Sequence, residues 1–203
     1  MMENENITEV KPDDTITTAV HSESEEAPDG VTDYIPETKT ERALLAVYRN
    51  EQLSYSLKIA SVAIAVLTAY ALFYELAIAL SQANYYYIAG LLITTGVPFV
   101  AVSIFRHIVN APRPYELYGF YEKNPKNKSG HSFPSRHVFS VFVIGSALCF
   151  SNLFVGIMLL SAGVVLALIR VLLGYHFIRD VVTGALIGVL SGTAGMLIFT
   201  FIS

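Results

Sequence analysis

Apolar residues dominate three long tracts of the chain, and polar residues gather between them. From Ile59 to Phe105 the sole charged residue is Glu75, and neither 138–169 nor 181–203 holds any charge. An apolar run of about 20 residues reaches across a hydrocarbon core of about 30 Å. Turn-forming or polar breaks at 81–87, 106–135, 151–152 and 174–179 divide the tracts. The pattern therefore predicts five spans, over 58–80, 88–105, 137–150, 153–173 and 180–202. The third is short, even with Pro134 to Arg136 as its first turn. Residues 41–56 mix apolar and charged positions at helical spacing, which predicts an interfacial helix leading into the membrane. The expected architecture is all-α: a polytopic transmembrane helical bundle of about five spans over residues 57–203.

Smaller features refine this outline. Tyr85, Tyr86 and Tyr87 suit an aromatic belt at the interface. Pro98 falls inside the second span, where neighbouring helices tolerate a kink. Gly174 is placed to end the fourth span. Gly184, Gly188 and Gly192 recur every fourth residue in the fifth. Small residues at that spacing let helices approach closely, although glycine is also simply common in membrane helices.

The net charge of -4 conceals a strong asymmetry. Most of the acids lie in residues 1–51, in a stretch rich in Glu, Asp, Thr and Pro, whereas bases outnumber acids beyond it. Residues 1–40 carry too little apolar material for a core and read as a disordered acidic tail. They lack the basic start and apolar stretch of a signal peptide. Cys149 is the single cysteine, so no intrachain disulfide forms.

Ionisable groups beside a bilayer are costly and mark candidate functional sites. With alternating spans, three segments deliver such groups to one membrane face. Arg106 and Arg113 follow the second span, His131 and His137 precede the third, and Arg170 and His176 lie between the fourth and fifth. His176 and Asp180 are four residues apart, hence on one face of a helix. A carboxylate that accepts from one imidazole nitrogen leaves the other free to attack. Arg113 stands between Pro112 and Pro114, a stiff setting that suits a two-pronged grip on phosphate. Ser135 opens a predicted helix whose N-terminal amides favour an anion. His137 is placed to give a proton to a departing oxygen, and His131 is the competing candidate. Each piece also has a blander explanation. Arg106 serves equally as a lipid-headgroup anchor, Asp180 as a helix cap, and Lys123, Lys126 and Lys128 as solvated loop charges. Tyr115, Tyr118, Phe120 and Tyr121 line the approach or anchor it at the interface.

Taken together, these segments resemble the type-2 phosphatidic acid phosphatase superfamily, which also includes the vanadium haloperoxidases. Its first motif is Lys, six residues, Arg-Pro; here Arg106 to Pro114 has the spacing, with Arg for Lys. Its second, Pro-Ser-Gly-His, is most similar to Pro134-Ser135-Arg136-His137, with Arg136 in place of Gly. Its third, Ser-Arg, five residues, His, three residues, Asp, resembles Ile169 to Asp180, with Ile169 in place of Ser. The resemblance implies that Arg106, Arg113 and Arg170 hold phosphate oxygens with Ser135 and nearby amides. It implies that His176 attacks phosphorus, Asp180 orients it, and His137 protonates the leaving oxygen. It implies no metal and no other cofactor. Arg136 either adds a phosphate ligand or narrows the pocket.

The expected function is an integral membrane phosphatase that hydrolyses a lipid phosphate or an isoprenoid or glycerolipid diphosphate through a phosphohistidine. The expected partners are the bilayer and a membrane lipid substrate, with no nucleic acid. The alternative is a non-catalytic membrane protein that binds or moves anionic lipids through the same cationic mouth. An oxidase like the soluble haloperoxidases does not suit so apolar a chain. The bases at the mouth argue for the cytoplasmic side, whereas the resemblance implies the outer face of the plasma membrane. Since several of those bases are expected ligands, the outer face is preferred.

Overall fold

The computed structural model describes residues 38–117 and 129–202. The acidic tail before residue 38 lies outside the described residues. So do residues 118–128, with Tyr118, Phe120, Tyr121, Lys123, Lys126 and Lys128. Among the described residues the regular elements are all helices. They are α1 (Lys39–Arg49), α2 (Glu51–Ser81), α3 (Tyr85–Val109), α4 (Pro114–Leu117), α5 (Arg136–Leu148), α6 (Leu153–Leu172) and α7 (Ile178–Ile202).

Asparagines punctuate the chain. The side chains of Asn50, Asn84 and Asn152 accept from the amides of Leu53, Tyr87 and Val155, which caps the start of α2, α3 and α6. Asn50 also corrects the predicted interfacial helix over 41–56. Helix α1 ends at Arg49, and residues 51–56 already belong to α2. The apolar side of α1 buries Leu44, Leu45 and Val47, and Val47 packs on Ile169 and Leu173 at the end of α6.

Four helices are long and apolar enough to cross a membrane: α2, α3, α6 and α7. Their outer faces present large apolar side chains such as Val62, Phe73, Phe154 and Leu190, each more than half exposed in its position. Such a surface belongs in lipid, so the chain is an integral membrane protein. Glu75, the lone acid of the first tract, accepts a 3.1 Å hydrogen bond from the Tyr87 hydroxyl of α3.

The third predicted span takes another form. Helix α5 has 13 residues, a length of about 20 Å, which is too short to cross alone. It is instead the buried axis of the bundle. Phe139, Val143, Ala147 and Leu148 are all but inaccessible, and they join Leu91 and Val102 of α3, Leu159 of α6 and Met196 of α7 in the main core. The chain before α5 explains the short helix. Ser132, Pro134 and Ser135 are buried, so the loop itself descends into the bundle and replaces the missing turns.

Helix α5 makes its most extensive contact with α7. The glycine ladder permits this. A Cβ on Gly184 would lie 2.7 Å from the Ser135 carbonyl, and one on Gly188 would lie 2.8 Å from the Phe139 carbonyl and 2.8 Å from the Phe142 Cβ. Gly192 meets Ser146 in the same way. Backbone touches backbone along this seam, as small residues allow in membranes. Gly188→Leu should therefore force α5 and α7 apart at a cost of at least about 1–3 kcal/mol. A thermal unfolding scan of the detergent-solubilised variant should show a clear fall in melting temperature. An unchanged transition would contradict the close approach.

Candidate functional site

The site begins with Arg106, which occupies the last turn of α3 and is 5% exposed. Its Nη1 donates to the Pro134 carbonyl at 2.5 Å and more distantly to that of Ser132 at 3.5 Å, and its Nη2 donates to the His131 carbonyl. One guanidinium thus fastens the descending loop to α3. A lysine ammonium is a point charge and lacks this planar fork. Arginine at this position has a structural task that charge alone does not convey. The Ser132 amide adds a 2.9 Å bond to the Ala111 carbonyl.

Arg113 stitches the same loop from the other side. Its Nε donates to the Gly130 carbonyl at 2.9 Å, and its guanidinium stands 5.7 Å from the Tyr115 ring centre. Glu116, to which the sequence assigned no role, accepts from the amides of Arg113 at 3.2 Å and Gly130 at 2.6 Å. The Tyr115 amide donates to the Gly174 carbonyl at 3.3 Å. Gly174 has φ 67 and turns the chain out of α6, a conformation that glycine adopts without steric cost. Arg170, in the last turn of α6, lies 5.4 Å from the Tyr175 ring centre, and Tyr175 meets Tyr115 edge to face at 6.3 Å. Two arginines therefore flank two tyrosines across the turn. The Arg170 Nε is buried with no hydrogen-bond partner among the described residues.

His176 and Asp180 form the buried centre, 4% and 0% exposed. The His176 Nδ1 is 3.7 Å from Asp180 Oδ2, slightly beyond hydrogen-bond range. Ser132 fills the gap. Its hydroxyl donates to Asp180 Oδ2 and lies 3.4 Å from His176 Nδ1. The Phe177 amide also donates to Oδ2, at 3.0 Å, while the exposed Arg179 approaches Oδ1 at 3.5 Å. Burial pushes the His176 imidazole below its ordinary pKa, with the Asp180 carboxylate opposing the shift. The ring is therefore neutral near pH 7. Ser132 carried no signal in its spacing, because its partner is 48 residues away and meets it only in the fold.

Ser135 occupies the N-cap position of α5, as expected, but its hydroxyl makes no capping bond. Its amide donates to the Asp180 carbonyl at 3.0 Å. Its Oγ is fully buried and unpartnered among the described residues. His137 follows in the first turn of α5 and is exposed. The groups whose charges act on it are Arg170, His176, Arg136 and Arg106, in that order. Arg113, Arg136 and Arg170 likewise act on Arg106. The three sequence segments thus converge. His131 points elsewhere: it has φ 56, and its ring meets His107 edge to face at 4.6 Å.

Among the described residues, a cavity and a groove reach this region. His176 lines a cavity of about 580 Å³, of which α1 forms one wall through Thr38, Thr40, Glu41 and Leu44. Arg136 and His137 head a groove of about 350 Å³ whose remaining walls include Ala65, Leu72, Phe73, Phe99 and Ile144. Among the described residues no group of three or more His, Cys, Asp or Glu side chains is arranged to hold a metal. The arrangement offers a neutral, oriented imidazole, several guanidinium groups and, among the described residues, three buried polar atoms without a hydrogen bond: Ser135 Oγ, Arg170 Nε and Asp180 Oδ1, the last approached only by Arg179. Such a set is suited to an anion with several oxygens.

The chain belongs to the PAP2 superfamily, whose model matches residues 83–202. No curated protein sequence matches it. Solved structures that share its fold include the following two. LpxE from Aquifex aeolicus superposes with a TM-score of 0.59 at 24% identity, over 78% of this chain and 92% of that one. The first transmembrane PAP2 type phosphatidylglycerolphosphate phosphatase from Bacillus subtilis gives 0.56 at 22% identity, over 81% and 84%.

The electrostatics of the centre are directly measurable. In histidine NMR titrations of the protein in nanodiscs, the His176 midpoint should lie below its ordinary 6.5. Asp180→Asn removes the carboxylate that holds the value up, so it should move the midpoint further down. An upward shift in that variant would contradict the assigned balance.

Proposed function

We propose that this protein is a membrane-embedded phosphatase that removes phosphate from a lipid phosphate or lipid diphosphate. The observation that carries the reading is that the two buried atoms of the site able to donate to an anion, Ser135 Oγ and Arg170 Nε, have no partner among the described residues. A buried polar atom without a partner costs about 1–3 kcal/mol. Oxygens of a phosphoryl group would satisfy both, and its negative charge would relieve the repulsion among Arg106, Arg113, Arg136 and Arg170. The apolar groove that starts at Arg136 and His137 supports a substrate with a hydrocarbon tail. The phosphatase named among the structures of the same fold agrees with this reading.

In the mechanism, the phosphoryl group enters with its oxygens toward Ser135, Arg113 and Arg170, and Arg106 adds charge while it keeps the loop in place. The neutral His176 attacks phosphorus through Nε2. Asp180 and Ser132 hold the ring by its Nδ1 side, so the attacking lone pair points into the cavity. Asp180 then stabilises the positive charge that develops on the imidazole. The negative charge of the bound phosphate offsets the cations around His137 and lets it take up a proton; the bond from phosphorus to the leaving oxygen then breaks, and His137 gives that proton to the oxygen. Water attacks the phosphohistidine, returns a proton to His137 and releases inorganic phosphate. His137 is preferred over His131 because its surroundings include His176 and Arg170, whereas the His131 ring is turned to His107. Every step uses side chains of this chain and water.

A panel of lipid phosphates and diphosphates, assayed on purified protein with EDTA present, tests the reading. Phosphate release should persist in the chelator and fall at least about a thousandfold in His176→Ala, the scale of losing a catalytic nucleophile. The variant should keep the wild-type melting temperature. Binding of these lipids without turnover would instead favour a non-catalytic lipid-binding protein, and turnover by His176→Ala would remove the nucleophile assignment.

A further inference from the structure

Arg136 stands where the family motif has glycine. It is the first residue of α5, half-buried, beside the exposed His137 on the wall of the apolar groove. Its neighbours in charge are occupied by the loop or by an aromatic ring, and what remains of Arg113 and Arg170 serves the transferred phosphoryl group. Arg106 holds three carbonyls, Arg113 holds Gly130, and Arg170 lies on Tyr175. Among the described residues Arg136 makes no hydrogen bond and no ion pair. Its field nevertheless reaches Arg106 and His137. A cation gathered with other cations, yet left without a counterion, is unfavourable unless a ligand supplies one.

Position indicates which part of the ligand that is. In a phosphoryl transfer the attacking atom and the leaving oxygen lie roughly in line on opposite sides of phosphorus. Among the described residues, His176 lines one cavity, whereas Arg136 and His137 line a separate groove. Arg136 therefore sits with the proton donor, on the side from which the leaving group departs. We propose that Arg136 binds a second phosphate in the leaving group, so that the preferred substrate is a lipid diphosphate rather than a lipid monophosphate. This inference rests on the phosphatase reading above and narrows its substrate class.

The chemistry is consistent with that role. His176 Nε2 bonds to the terminal phosphorus of the diphosphate, and the bond from that phosphorus to the bridging oxygen breaks. The electron pair stays on the bridging oxygen, which takes a proton from His137 and becomes part of a lipid monophosphate. The guanidinium of Arg136 holds the other oxygens of that monophosphate, a two-pronged contact for which its planar fork is suited. Water then attacks the phosphohistidine, the nitrogen–phosphorus bond breaks, and the proton returns to His137. When a lipid monophosphate is cleaved, the leaving group is an alcohol with no phosphate. Arg136 then has no partner on that side.

The test compares farnesyl diphosphate with farnesyl monophosphate, whose apolar chains are identical. Purified full-length wild type, Arg136→Gly and Arg136→Lys are assayed in the same detergent micelles. Wild type should favour the diphosphate in kcat/KM by about tenfold or more, the scale of one charge-assisted contact. Arg136→Gly, which installs the family's own residue, should lose about tenfold of that ratio. Arg136→Lys should fall between them, because it keeps the charge and loses the fork. A ratio within about twofold of wild type in Arg136→Gly, or a wild-type preference for the monophosphate, would overturn the inference and leave the phosphatase reading standing. Wild type that cleaves neither compound nor any other lipid phosphate would remove both. Matching melting temperatures for the three proteins keep a folding defect from imitating the expected loss.

Discussion

The mouth of this protein depends on how near α7 comes to α5. Gly184 and Gly188 let the backbone of α7 rest against the backbone of α5, and no side chain intervenes to hold the helices apart. That contact carries Asp180 to the loop that opens α5. There its carbonyl accepts from the Ser135 amide, and its carboxylate accepts from the Ser132 hydroxyl. The buried His176, four residues before Asp180, is brought in by the same step. A wider seam would separate the imidazole from the loop, whatever residues the two segments carried.

A second constraint acts against the first. Arg106, Arg113, Arg136 and Arg170 are drawn into one region of low dielectric, where like charges repel strongly. The fold tolerates this because most of the guanidinium groups have structural work. Arg106 and Arg113 donate to loop carbonyls, and Arg170 lies against an aromatic ring. Among the described residues, what is left without a partner points to an anion: a buried Nε on Arg170, a buried hydroxyl on Ser135, and the guanidinium of Arg136. The same interactions that steady the loop leave these groups placed for the anion of the proposed reaction.

Much of this was legible in the residues. The charge-free tracts marked α3, α5, α6 and α7 to within a few residues, although α2 starts seven residues before its predicted span, and the alternation of spans assigned Arg113, His137 and His176 to one face. The family motifs identified the superfamily across their departures from pattern. Other features were hidden for physical reasons. Hydropathy measures apolar length, not depth, so it could not reveal that α5 is a short buried axis with a descending loop above it. Asn50 interrupts an otherwise continuous helical rhythm, and its cap forms only when α2 starts anew there. The carbonyl clamp of Arg106, the bridging hydroxyl of Ser132 and the stitching carboxylate of Glu116 join segments 14 to 48 residues apart. Such pairs are set by packing and leave no mark in local spacing.

The central claim is that His176 becomes covalently bonded to phosphorus. The most direct test is to mix the protein with a lipid substrate labelled with radioactive phosphorus in the transferred group, quench within milliseconds under alkaline conditions, and locate the label by peptide mapping. The account predicts an acid-labile, base-stable phosphate on the peptide that holds His176, and none on that peptide in His176→Ala. Substrate turnover with no label on His176, or label on His131 or His137 instead, would contradict it.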